Sequence, residues 1–145
     1  MTNRMNRLLT GVILAAAMFC LMASGCGAEK QEEPDGGSPA GAYRQISQEE
    51  AMRMMREEKG YIILDVRRED EYAAGHIPGA VLIPNESIED VPPALLPDMD
   101  QLILIYCRSG NRSKQAAQKL AEMGYTSICE FGGINTWPGE IVTGE

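Results

Sequence analysis

Histidine and tryptophan each occur once in these 145 residues, phenylalanine twice and cysteine four times. The one histidine, His76, leaves a single candidate for any Cys/His hydrolase, and no metal or cofactor is expected. No apolar run reaches the roughly 20 residues of a membrane-spanning helix; the longest, Leu8 to Ala23, has 16. Basic residues are scarce beside acidic ones, 13 against 21. Arg4 and Arg7 are the only charged residues of positions 1–25, so the rest of the chain holds 11 basic and 21 acidic residues, net −10. Such a surface repels nucleic acid and anionic lipid, and neither is expected as a direct partner.

What is present at the start is a positive flank, a short apolar run, and small residues Ala23, Ser24 and Gly25 before Cys26. That is the pattern of an export signal, expected over residues 1–25. "LMASGC" resembles the lipobox of bacterial lipoproteins, with Ala23 where leucine is usual. The resemblance implies cleavage before Cys26, lipidation of that cysteine, and anchorage on the outer face of the cytoplasmic membrane or in the periplasm. The alternative is an ordinary secretory signal ending at an unmodified cysteine. Two acyl chains suffice for stable anchoring where one is marginal. From Gly27 to Ala42, "GAEKQEEPDGGSPAGA" lacks any large apolar residue and reads as a flexible tether of about 20 Å typical reach. Residues 43–145 then form one domain of ordinary size, expected to be monomeric.

Within that domain, Ser47 followed by Glu50 predicts a capping box for a helix that buries Ala51, Met52 and Met55 and stops at Gly60. "YIILDV" and "LILIYC" are continuous apolar runs of strand length, as for strands covered on both faces. A short helix over "EDEYAA", the turn-rich "GHIPGA" and a short strand near "VLIP" lie between them. Pro92, Pro93 and Pro97 limit the segment after Asn85 to brief helices. "SKQAAQKLAEMG" predicts an amphipathic helix stopped by Gly124, "TSICEF" a third strand, and "INTW" a last helical turn. Strands alternating with helices predict an α/β fold: a central, mostly parallel sheet with helices on both faces, and ligands beyond the carboxyl ends of the strands.

Cys107 falls at such an end. "CRSGNR" joins a buried strand to a helix, so backbone N–H groups without intrahelical partners converge there. Their dipoles, the helix N-terminus, and the side chains of Arg108 and Arg112 favour thiolate over thiol. Gly110 admits a backbone conformation most residues resist, and Ser109 and Ser113 add donors. A low-pKa cysteine in an anion cradle suits attack on phosphorus or on a sulfur carried by an anionic donor. The bland reading, a buried cysteine ending a strand, uses neither arginine.

"LDVRREDEYAAGHIPGAVLIP", "YCRSGNRS" and "FGGINTW", in this order, resemble a single-domain rhodanese-like sulfurtransferase. The resemblance implies the three-layer rhodanese fold and a ping-pong reaction. Cys107 would take the outer sulfur of thiosulfate or a persulfide donor and pass it to cyanide or a thiol. Arg108, Ser109, Gly110, Asn111 and Arg112 would hold the donor anion, and Asp65, Arg67 and Ser113 would support the site. Four residues separate Cys107 from Arg112, whereas the related cysteine phosphatases use five, so sulfur transfer is favoured over phosphate hydrolysis. His76 lies in what the resemblance makes a structural turn. Trp137 and the Gly132–Gly133 pair are expected to close the core and turn the chain. Cys129, mid-strand, reads as inert, with a resolving disulfide to Cys107 as the alternative. A non-enzymatic reading also stands, in which Cys107 carries a persulfide or thiol for an envelope partner without turnover.

Overall fold

The computed structural model describes residues 42–144. The readings of an export signal over residues 1–25, a lipidated Cys26 and a tether from Gly27 to Ala42 lie outside the described residues, except for Ala42 itself. Among the described residues no helix is long and apolar enough to cross a membrane.

Five strands, β1 (Arg44–Gln45), β2 (Ile62–Asp65), β3 (Val81–Leu82), β4 (Ile103–Cys107) and β5 (Ile128–Gly133), form one sheet of order β1-β5-β4-β2-β3. Every neighbouring pair is parallel. The edge strand β1 carries too little apolar pattern to be read from sequence and is held by its register against Cys129 and Glu130. Chain order reverses between β4 and β2, so the connections that leave their carboxyl ends diverge and open a crevice there, the usual ligand position in such sheets.

Helix α1 (Gln48–Glu57) begins where Ser47 Oγ accepts the Glu50 N–H at 3.1 Å. The reciprocal half of the expected capping box is replaced, because the Glu50 carboxylate pairs with Arg44. Ala51 is buried and Met54 and Met55 pack beside it on the core; Met52, expected on that face, is not among the packed residues. Helix α2 (Glu69–Ala74) is short and directs Tyr72 into the same core. Helix α3 (Asn111–Glu122) starts two residues earlier than the sequence suggests. Its N-cap is Gly110 at φ 101°, which leaves no side-chain capping signal to read. It buries Ala116, Ala117, Leu120 and Ala121.

Side chains of β4 alternate strictly between two cores. Ile103, Ile105 and Cys107 face α3, while Leu104 and Tyr106 face α1 with Phe131 and Trp137. On β5, Ile128 belongs to the α3 side and Cys129 to the other. Between Ile105 and Cys107 the pairing shifts from Glu130 to Gly133, so β5 carries one residue more than β4. This bulge lies beside the loop that follows Cys107, as bulges often lie beside sites they re-aim.

Candidate active site

Cys107 ends β4 at 1% exposure, and the chain then turns through Arg108, Ser109 and Gly110 into α3. The turn requires a left-handed residue at Gly110 and a close approach at Gly133. A Cβ added at Gly133 would collide with the Arg108 carbonyl and Ser109 Cα, so only glycine lets β5 run this near the loop. Asn135 N–H ties the same carbonyl at 3.3 Å.

The loop wraps its N–H groups around the sulfur. Gly110 N–H points at Cys107 Sγ at 3.1 Å. Burial alone would push the thiol up; hydrogen bonding from the Ser113 side chain and from the backbone N–H groups of Ser113, Ser109 and Gly110 outweighs it, leaving Cys107 below its ordinary value. The attraction is built from fixed dipoles inside the fold.

The arginines divide the work differently from the sequence reading. Arg108 is exposed and projects outward. The Arg112 guanidinium, expected to lend free charge to the donor, is clamped by Glu71, with contacts of 2.6 Å to Oε2 and 2.8 Å to Oε1. This fork holds the Glu71 carboxyl down at about 2. Arg112 therefore joins the start of α3 to α2 across the crevice. In the sequence Glu71 is only one acidic residue of the short helix segment "EDEYAA"; its partner 41 residues away is set by the topology.

Asp65 and Arg67 pair with each other. Arg67 Nη2 lies 2.6 Å from Asp65 Oδ2, at 5% and 0% side-chain exposure, and the same nitrogen donates to Gly75 O at 2.7 Å. The pair thus holds the turn before His76 against the end of β2. His76 stacks on Tyr72 with ring centroids 3.7 Å apart and places Nδ1 3.0 Å from Tyr72 O, a packing role. Ser109 and Asn111 lie exposed at the mouth of the loop. Ser113 is fully buried, its hydroxyl 3.0 Å from Gly110 O and 2.6 Å from Glu130 Oε1. Glu130, 2% exposed, was read only as part of a strand. The signal was its place between Cys129 and Phe131 in a strand covered on both faces.

The resolving disulfide does not fit. Cys129 pairs in register with Leu104, three residues or about 10 Å along β4 from Cys107, and faces the opposite core. A disulfide needs Cα atoms within about 7 Å. Burial pushes the Cys129 thiol up, as for an inert core cysteine.

The family description "Rhodanese-like domain" matches residues 47–140. A thiosulfate sulfurtransferase, GlpE of Pseudomonas entomophila, is 35% identical over 107 residues, covering 70% of this chain and 94% of its own. The thiosulfate sulfurtransferase PspE of Escherichia coli is 35% identical over 71 residues, covering 49% and 68% respectively. Among solved structures, an E. coli rhodanese with anions aligns at TM-score 0.54 and 32% identity, covering 58% of this chain and 99% of its own. A rhodanese-like domain protein from Staphylococcus aureus aligns at 0.61 and 29%, covering 70% and 99%.

Proposed function

Since the chain belongs to the rhodanese-like family, we propose that this sulfurtransferase works through a Cys107 persulfide and, on the pattern of residues 1–26, is held at the bacterial envelope by a lipid on Cys26. The observation that carries the chemistry is the Cys107 sulfur at the focus of the loop N–H groups, below its ordinary pKa. An ionised thiol needs no general base.

In the first half-reaction the Cys107 thiolate attacks the outer sulfur of thiosulfate. The S–S bond of the donor breaks, sulfite departs with the bonding pair, and Cys107–S–S⁻ remains. A persulfide donor would react alike, releasing its thiolate. In the second half-reaction cyanide or a thiolate attacks the outer sulfur and Cys107 leaves as thiolate. Loop N–H groups that face the cysteine sulfur are also placed to stabilise charge on the transferred sulfur in both steps. The four residues between Cys107 and Arg112 favour sulfur over phosphorus as the atom attacked.

Intact mass of the purified protein before and after thiosulfate tests the chemistry. A gain of about 32 Da that requires Cys107 and is discharged by cyanide as thiocyanate is the expected result. Loading without turnover for any acceptor favours a carrier. No gain, with Cys107 still alkylated readily, refutes transfer from thiosulfate. The anchor rests on the sequence of residues 1–26; incorporation of labelled fatty acid that is abolished by Cys26→Ser tests it.

A further inference from the structure

The transfer steps above leave one group near the sulfur unused. Glu130 is 2% exposed on β5 and, by the alternation of that strand, shares the α3 side of the sheet with Cys107. Its Oε1 would lie 3.9 Å from a Cβ on Gly110, the residue whose N–H faces the sulfur. Two donors converge on that oxygen, Ser113 Oγ–H at 2.6 Å and Gly132 N–H at 2.9 Å, the pattern of a carboxylate acting as acceptor. Among the described residues no basic side chain forms an ion pair with it. An unpaired carboxylate is among the costliest groups to hold inside a fold, and here it lies behind an anion cradle.

The surrounding charges do not cancel it. Arg112 on α3 is matched by Glu71 on α2. Arg67 after β2 is matched by Asp65. Glu86, on the turn after β3, adds a negative charge that acts on Arg112. Arg108 and Lys114 are exposed, so water and salt screen them. Glu130 also competes for the one proton of Ser113, which lies within reach of Gly110 O and Gly132 O as well and supports the Cys107 thiolate when turned toward it.

We propose that Glu130 is a specificity-determining residue: its buried charge opposes sulfur donors in proportion to their own charge, and turns the site toward monoanionic sulfane-sulfur donors over dianionic thiosulfate. The proposal rests on the sulfurtransferase reading and names its donor class, organic persulfides and thiosulfonates. With a thiosulfonate the step balances as before: thiolate attacks the outer sulfur, the donor S–S bond breaks, and sulfinate leaves with the bonding pair.

The test compares kcat/KM for thiosulfate and methanethiosulfonate in the wild type, Glu130→Gln and Glu130→Asp. Glutamine keeps an oxygen for Ser113 and Gly132 while removing the charge; aspartate keeps the charge. One extra donor charge, repelled even at the screening of bulk water, predicts that Glu130→Gln raises the thiosulfate-to-thiosulfonate ratio at least about threefold, with Glu130→Asp near the wild-type ratio. The pH profile of Cys107 alkylation should move to lower pH in Glu130→Gln, which a purely structural role would not produce. An unmoved ratio and profile, or equal losses for both donors, overturns the proposal. Should Glu130→Gln fail to fold, the wild type decides, because a higher kcat/KM for thiosulfate than for the monoanion also overturns it. A wild type that transfers sulfur from neither donor refutes the sulfurtransferase reading itself, whereas normal transfer with an unmoved ratio refutes the role of Glu130 alone.

Discussion

Replacing Glu71 with glutamine removes the charge that clamps Arg112 at the start of α3. The folded-state pKa of Glu71 is about 2 against an ordinary 4.5, a difference worth at most about 3 kcal/mol at neutral pH. The pair is partly open, with side-chain exposures of 23% for Arg112 and 14% for Glu71, so solvent screening brings the expected coupling down to about 1–2 kcal/mol. The sign follows from the direction of the shift. A carboxylate whose pKa is depressed by folding stabilises the fold above its unfolded value and loses that contribution as pH falls from about 4.5 through about 2. A double-mutant cycle with Glu71→Gln, Arg112→Gln and the double variant, followed by urea unfolding at pH 7, 5 and 3, isolates the pair from the other carboxylates. The coupling should hold between pH 7 and 5 and fall by roughly half or more by pH 3. A coupling near zero at pH 7, or one that does not change by pH 3, would refute the account of Arg112 as a clamped rather than a free cation.

The remaining expectations concern the two cysteines. Cys107 is held below its ordinary value, so its alkylation should rise with pH and level off below about pH 8.5, the range of a free thiol; a profile still climbing above that would contradict the N–H cradle. Cys129→Ser should leave turnover and recovery from peroxide unchanged while lowering stability by about 1–3 kcal/mol, through a hydroxyl buried in an apolar core. A Cys107–Cys129 linkage found by peptide mass mapping of the oxidised native protein would contradict the two-faced placement.

Much of this fold can be read from local pattern, and the misses share a cause. The runs at Ile62–Asp65 and Ile103–Cys107 stand out because strands covered on both faces need apolar residues throughout. The start of α3 was misplaced because backbone geometry at Gly110 caps it, which leaves no Ser, Thr or Asp as a marker. Glu50 carried the right residue type for a capping box, yet a neighbouring arginine took its carboxylate. At the site, Cys107 and its loop were legible because strand, loop and helix are contiguous in the chain. The partners of the charged groups were not: Glu71 meets Arg112 across 41 positions, and Ser113 meets Glu130 across 17. A charge in a sequence shows what a site could use, and only the topology shows what has already been neutralised.

The pairing of β1 with β5 also bears on the order in which the protein is made. Arg44 and Gln45 leave the ribosome early, but their partners Cys129 and Glu130 come near the end of the chain. Small domains fold as units, and parallel contacts this distant in sequence form late. The loop around Cys107 depends on the same late segment, on Gly133 for close approach and on Glu130 and Gly132 for the contacts of Ser113. A nascent chain that has already exposed Cys107 therefore carries a thiol without its N–H cradle. The lowered pKa of Cys107 arrives only when the last strand docks, so activation of the nucleophile waits on completion of its own fold.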